Sequence, residues 1–460
     1  MNCIMTASEA AKICKGELYG SDADICRRWR ADSRDITFGD AFVAVKGGNT
    51  DGHLFVRQAI DRGAQMLLVQ KNKVTELGLD SPDYAGLSTI AVDDTLKALS
   101  ALAHAYFEKV SPQIVGITGS VGKTTTRELL VAALGKKYKL HSAIRSFNTS
   151  LGCSLVVLEM PADTEMLVLE FGTNHFGEIS EMTDLFPPET ALITEIAPAH
   201  LAGFGSIGGV LKAKLEICSR GVRVLVYNAD NVLLKESLQA GVNAEKLIGV
   251  GYSGDADLKI MQTKISLDNS GAKISAVYRS EDVDFECSAG LFGKQHAYNI
   301  GYALAAARYY GVSNEDIKSA FAELNPIAGR GVCKKLPNNS WVIDEAYNAN
   351  PASMRAAIEN LYEISGSMKK TAVLAGMREL GKDSLYWHKE ILFLAKRCDR
   401  LFLLGEEWHA VPLPENAKLY DSFEDLTENV INEDLSDTVL LIKGSNSYGL
   451  KRLVTVLTEG

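Results

Sequence analysis

A three-domain α/β protein is predicted by three observations. Apolar, strand-like runs alternate with helical patterns along nearly the whole chain, the arrangement that builds mainly parallel sheets. The length, 460 residues, accommodates about three domains of ~150 residues, each with its own core. A glycine-rich turn at 116–126 follows an apolar strand and opens a helix.

The first unit spans residues 1–108. Short strands are expected at Ala41–Val45, Met66–Val69 and Thr89–Val92, and a helix at Thr95–Glu108, where apolar residues recur at helical spacing. Ser111-Pro112 then punctuates the chain. The central unit, 109–326, opens with the strand Ile114–Thr118. It continues through the buried-type runs Met166–Phe171, Ala191–Ile196 and Val222–Tyr227. Residues 256–288 instead alternate polar and apolar around Asp268-Asn269-Ser270-Gly271, which reads as antiparallel hairpin structure. A helix at His296–Tyr310 closes the unit. The third unit, 327–460, places strands at Trp341–Ile343, Thr371–Leu374, Arg400–Leu404 and Thr438–Ile442, with helices after Asn350-Pro351 and Lys382-Asp383. That is a small doubly wound, Rossmann-like pattern.

Composition narrows the partners. With 48 Lys+Arg against 58 Asp+Glu the net charge is −10, which argues against a nucleic-acid or acidic-membrane binder. No apolar run reaches the ~18 residues of a spanning helix, and Met1–Lys15 lacks the pattern of a secretory signal. The eight cysteines are scattered without a Cys-x-x-Cys pair, as expected of reduced thiols in a cytoplasmic protein.

Chemistry concentrates first in Gly116-Ile117-Thr118-Gly119-Ser120-Val121-Gly122-Lys123-Thr124-Thr125-Thr126. Glycines let backbone N–H groups point at phosphate oxygens, and the helix N-terminus favours negative charge. Lys123 would reach the β- and γ-phosphates and Thr124 would offer a hydroxyl to Mg²⁺. Ile117 stands where the strict phosphate-loop pattern has its first glycine, so the shorter G-x-x-G-K-T-T form remains. The loop alone does not separate a GTPase from an ATPase or a ligase. Glu170 ends one further strand and His200 lies just past another, where ligands bind in open α/β sheets, and a carboxylate with an imidazole could hold a divalent ion there. Lys212 and Lys214 lie two apart in a helical stretch and therefore do not share a face.

These motifs, in this order, resemble the Mur ligases, the ATP-dependent amide-forming enzymes of peptidoglycan precursor synthesis. The similarity runs through Asp32-Ser33-Arg34, Val45-Lys46-Gly47 and Asp51-Gly52-His53, then the phosphate loop, then Leu169-Glu170-Phe171-Gly172-Thr173-Asn174-His175 and Ala197-Pro198-Ala199-His200-Leu201. It ends in Asp344-Glu345-Ala346-Tyr347-Asn348-Ala349-Asn350-Pro351 and Met377-Arg378-Glu379-Leu380-Gly381, which resemble the branch that joins D-alanyl-D-alanine to UDP-N-acetylmuramoyl-tripeptide.

The resemblance implies a first domain that holds the UDP end of the sugar, with Ser33, Arg34 and Lys46 as candidates. It implies a central domain that binds ATP and Mg²⁺ through Gly119, Gly122, Lys123, Thr124, Thr125 and Asn299, and a third domain that carries the amine substrate, with Tyr347 and Asn348 as candidates. Arg330 and Asp344 would reach ATP from the domain junction and the third domain. Thr124, Glu170, His200 and Lys214 would hold the metal, Lys214 as a carbamate; Lys123, His200, Lys214 and Arg330 would be catalytic. A monomer without nucleic-acid or membrane partners is expected.

Several positions depart from the family pattern. Glu195 stands where asparagine is usual, Ala202 where glutamate is frequent, and Phe147-Asn148-Thr149-Ser150 replaces a Phe-Asn-Asn-Glu type. Ala375-Gly376-Met377 replaces Gly-Asp-Met, and after Lys443-Gly444-Ser445, Asn446 and Lys451 stand where arginine and glutamate are typical. Losing an acidic group at Gly376 and gaining Lys451 changes charge in the domain expected to hold the amine. Two rivals follow: a paralogous ligase acting on a different acid or amine, and a nucleotide-dependent switch, against which Glu170, His200 and Lys214 together argue.

Overall fold

The computed structural model describes residues 5–25, 28–48, 50–143, 146–269, 271–324 and 327–459. The chain divides into two compact units. One comprises residues 1–116, 138–173 and 178–189; the other comprises 117–137, 174–177 and 190–460.

The first unit is built on a five-stranded sheet in the order Glu17–Gly20, Ser88–Val92, Met66–Gln70, Ala41–Val43, Trp29–Arg30. Only the pairing of Glu17–Gly20 is antiparallel. Phe42, Leu67, Val69 and Ala91 pack with Val56 and Ala59 into its core. The helix Thr95–Val110 starts sharply because the Asp94 carboxylate accepts from the backbone N–H groups of Leu96 and Lys97. It packs on the helix Ser150–Leu158. Parallel strands Leu140–Ser142 and Met166–Glu170 belong to the same unit.

In the second unit, Thr190–Ile193, Val222–Asn228 and Ala244–Gly251 run parallel. Leu258–Asp268, Gly271–Ser280 and Val283–Ala289 then form the expected antiparallel meander, although the expected turn residue Ser270 lies outside the described residues. The helix Lys123–Leu134 packs on His296–Tyr309. A six-stranded sheet follows in the order Val332–Leu336, Ser340–Glu345, Thr438–Lys443, Lys369–Ala375, Arg400–Leu404, Ala417–Tyr420, parallel except for the first pair. Its four inner strands read as apolar runs because both faces are covered. Ile343, Leu374, Leu403 and Leu441 enter one core, and their neighbours Val342, Val373, Phe402 and Ile442 enter the other. Among the described residues, no helix is long and apolar enough to cross a membrane. The six described cysteines are free thiols.

Candidate active site

The phosphate loop leaves the strand Gln113–Thr118 and ends at the helix Lys123–Leu134. Gly119 has φ +142°, and a Cβ there would lie 2.1 Å from Thr194 Oγ1, so only glycine fits both the turn and the approach. Gly122, at φ 88°, is the N-cap. The loop is tied to the segment that follows Thr190–Ile193. Thr194 Oγ1 donates to Val121 O at 2.5 Å, Ser120 N donates to Glu195 O at 2.8 Å, and Ser120 Oγ donates to Ala197 O at 2.8 Å. These bonds take up the backbone of 194–197, where the sequence predicts a strand running to Ile196; the strand ends at Ile193. Lys123 Nζ donates to Gly119 O at 2.7 Å, across the loop. Thr124 and Thr125 are buried at the helix start.

Thr126 Oγ1 donates to Asn299 Oδ1 at 3.3 Å, and Asn299 Nδ2 donates to His296 Nδ1 at 2.9 Å. That bond requires an unprotonated Nδ1. Burial, with the Arg330 charge adding to it, pushes the His296 pKa down to about 4. The Arg330 guanidinium stacks on the Tyr347 ring at 4.1 Å. Asp344 stitches this region together: it accepts from Gly329 N at 3.0 Å and from Ala346 N at 3.1 Å, and its carbonyl accepts from Gly331 N at 2.8 Å. Tyr347 and Asn348 are exposed, and the Asn348 carbonyl accepts from the buried Lys443 Nζ at 2.9 Å.

His200 is the left-handed N-cap, φ 51°, of the short helix Leu201–Phe204. Burial lowers its pKa and the Glu379 carboxylate, in close contact with Nδ1, opposes that shift; the charges of Lys214 and Lys123 lower it further. Both lysines therefore act electrostatically on His200. Lys214 is 2% exposed on the helix Ile207–Leu215, whereas Lys212 is exposed and lies over the Phe176 ring. The two faces expected from their spacing are thus distinct. Glu170, in the first unit, ends its strand as a buried carboxylate, and its carbonyl accepts from Cys153 Sγ at 3.5 Å.

The first unit also holds Ser33, Arg34 and Lys46. Ser33 is buried and donates to Gln58 Oε1 at 2.6 Å. Arg34 is exposed and pairs with Asp32 at 2.6 Å; Lys46 is exposed beside Asp51. Three partners were not singled out by the sequence reading: His296, Thr194, and Glu379 as a contact of His200. Glu379 and His296 lay within motifs that carry the resemblance, but nothing in those motifs says which side chain either one meets.

A phosphate loop on a parallel sheet, backed by a doubly wound domain, defines a nucleoside-triphosphate-dependent α/β enzyme. Family models described as "Mur ligase family, catalytic domain", "Mur ligase middle domain" and "Mur ligase, glutamate ligase domain" match residues 29–107, 117–307 and 329–446. The chain belongs to the Mur ligase family, ATP-dependent enzymes that form amide bonds. It is 31% identical to the UDP-N-acetylmuramoyl-tripeptide–D-alanyl-D-alanine ligase of Bacillus subtilis, over 99% of this chain and 98% of that one. The Escherichia coli ligase of the same name is also 31% identical, with the same coverage. A solved structure of MurF from Acinetobacter baumannii superposes with a TM-score of 0.82 at 26% identity, covering 99% of each chain. MurF from Thermotoga maritima in complex with ADP superposes at 0.80 and 25% identity, over 95% of this chain and 98% of that one.

Proposed function

We propose that this protein joins D-alanyl-D-alanine to UDP-N-acetylmuramoyl-tripeptide at the expense of ATP, in peptidoglycan precursor synthesis. The observation that carries this reading is kinship along the whole chain with ligases of that name. We place the activity in the cytoplasm, in a monomer whose domains span 1–108, 109–326 and 327–460.

The chemistry starts from a poor electrophile. The tripeptide carboxylate attacks the γ-phosphorus of ATP, the bond to the bridging oxygen breaks, and ADP leaves. The acyl phosphate is then attacked by the free amine of the dipeptide. The tetrahedral adduct expels phosphate, and the nitrogen loses a proton. Loop amides at Gly119 and Gly122, with Lys123 and the Thr124 and Thr125 region, would cradle the phosphates. Arg330 would offset charge on the transferring group. Asn299, fixed by neutral His296 and Thr126, would meet the nucleotide, and Asp344 would hold the Arg330 segment in place.

By donor chemistry alone, the candidate metal residues would suit a hard divalent ion only on one condition. Thr124, Glu170 and His200 offer oxygen and nitrogen, but a protonated Lys214 would repel a cation. A lysine this buried is costly as a charge, and carbamylation would turn it into an oxygen ligand. Mg²⁺ so held would neutralise charge on the γ-phosphate and substrate carboxylate. Ser33, Arg34 and Lys46 would bind the UDP-sugar, and Tyr347 and Asn348 would border the amine.

The deciding experiment is phosphate release from ATP with the UDP-tripeptide, with and without D-alanyl-D-alanine, with the product weighed by mass spectrometry. Release that needs both substrates and yields the pentapeptide mass is expected. Release with the UDP-sugar but no dipeptide adduct would overturn the amine assignment, and no stimulation by either would overturn the acid as well.

A further inference from the structure

The resemblance leads one to expect an aspartate where this chain has Gly376 and an arginine where it has Asn446. The fold brings these two positions together. Ser445 N donates to Gly376 O at 3.4 Å, and Arg378 N donates to Ser445 Oγ at 3.1 Å. They lie at the carboxyl ends of strands Lys369–Ala375, Arg400–Leu404 and Thr438–Lys443, where open parallel sheets bind ligands. A carboxylate and a guanidinium are both present there, supplied from other positions.

The carboxylate is Glu407. Its Oε2 lies 2.1 Å from where a Cβ on residue 376 would be, so it fills the room that a side chain at 376 would need. Gly376 has no positive φ; a side chain there would have to displace the Glu407 carboxylate. Tyr448 donates to the same Oε2, and its own hydroxyl would sit 2.3 Å from a Cβ on Gly405. The guanidinium is Arg378. Its Nε faces Glu407 Oε1 at 3.1 Å, an ion pair not aligned as a hydrogen bond, and its Cζ lies 4.8 Å from the centroid of the Tyr448 ring. Nη1 donates to Glu406 Oε1 at 3.0 Å. The Glu407 side chain is 10% exposed, that of Arg378 45% and that of Glu406 78%. A largely covered acid and a ring thus hold a half-exposed cation whose remaining partner is a solvent-facing glutamate. Such an exposed pair is weak, so an incoming carboxylate can displace Glu406 and take the planar fork.

We propose that Arg378 anchors the carboxylate of the amine substrate, that Glu407 and Tyr448 position it, and that the three replace the aspartate–arginine pattern lost at 376 and 446. This rests on reading the third domain as the carrier of the amine. It makes Arg378 a specificity-determining residue: an amine lacking a carboxylate would be discriminated against here.

The test compares D-alanyl-D-alanine with its C-terminal amide in the full-length enzyme. The wild type should favour the acid by at least about tenfold in kcat/KM, as expected when a site's charged group is left without its partner. Arg378→Ala should raise the dipeptide KM about tenfold or more, leave the KM values for ATP and the UDP-sugar unchanged, and abolish the preference for the acid. Arg378→Ala/Asn446→Arg should recover part of that preference. A preference for the acid that survives in Arg378→Ala, or an unchanged dipeptide KM with only a lowered Tm, would overturn the proposal. A wild type that ignores the dipeptide would overturn the proposed amine instead. The same acid–amide comparison on the amine it does accept then decides for Arg378, and an enzyme that accepts no amine overturns both.

Discussion

At the phosphate loop, the groups that would meet phosphate come from one short stretch, 119–125, and the fold only has to brace it with Thr194, Glu195 and Ala197. At the strand ends of the third domain, the comparable charge cluster is assembled from three distant segments, 376–378, 405–407 and 445–448. The first arrangement depends on backbone N–H groups, whose positions follow from glycine and helix geometry, so its residues cannot be exchanged for others nearby. The second depends on side-chain charges, and a charge can be delivered to one place from several backbone positions. Contiguous sites therefore keep their motif, while assembled sites can keep their chemistry and change their letters.

Breaking the loop should have the largest effect. Lys123→Ala is expected to lower phosphate release by at least about a hundredfold with every amine, in line with losing one strong transition-state donor; near-normal turnover would remove the loop from the chemistry. Lys214→Ala should be comparably damaging, and short carboxylates such as formate or acetate should restore part of the rate. Failure of any carboxylate to do so would count against the carbamate.

Gly119→Ala asks whether the bracing matters as much as the lysine. Its Cβ would collide with Thr194 in a backbone conformation that alanine resists, at a loss of about 1–3 kcal/mol. A lowered Tm with weakened ADP binding is expected, and an unchanged Tm would show that the contact is easily relieved.

His296 sharpens the comparison through pH. Its folded pKa, about 4, lies below the ordinary 6.5, so the unfolded chain binds the proton first as the solution is acidified. Stability is retained above pH 6.5 and falls between there and about 4, by about 3 kcal/mol in total. Denaturant titrations of the wild type and His296→Gln across that window should show a steeper decline in the wild type; parallel curves would argue that His296 takes up its proton in the native state.

The smallest effect is expected at the assembled site. Glu407→Gln keeps the shape but removes the charge that holds Arg378. A rise of a few-fold in the dipeptide KM with kcat nearly kept is expected, while the ATP KM stays put. An equal change in both KM values would point to general loosening.

Much of this was legible before any coordinates. The inner strands of the six-stranded sheet announce themselves as apolar runs, because a strand covered on both faces has no polar alternation. Edge strands were not legible. Glu17–Gly20, Val332–Leu336 and Ala417–Tyr420 went unpredicted because their exposed faces dilute the apolar signal, and the two-residue Trp29–Arg30 is too short to carry one. Ala244–Gly251 escaped for the same reason, its first half being largely polar.

Local letters were enough to determine the phosphate loop, the start of the helix at Thr95 and the separate faces of Lys212 and Lys214. Each is decided within a few residues by glycine conformation, capping or helical period. Tertiary structure alone decided that Glu379 meets His200, that His296 stays neutral to hold Asn299, and that Glu407 occupies the space left open at Gly376. Those outcomes depend on burial and on pairings between residues far apart in the chain, and charge acts across space, with no regard to order along the sequence.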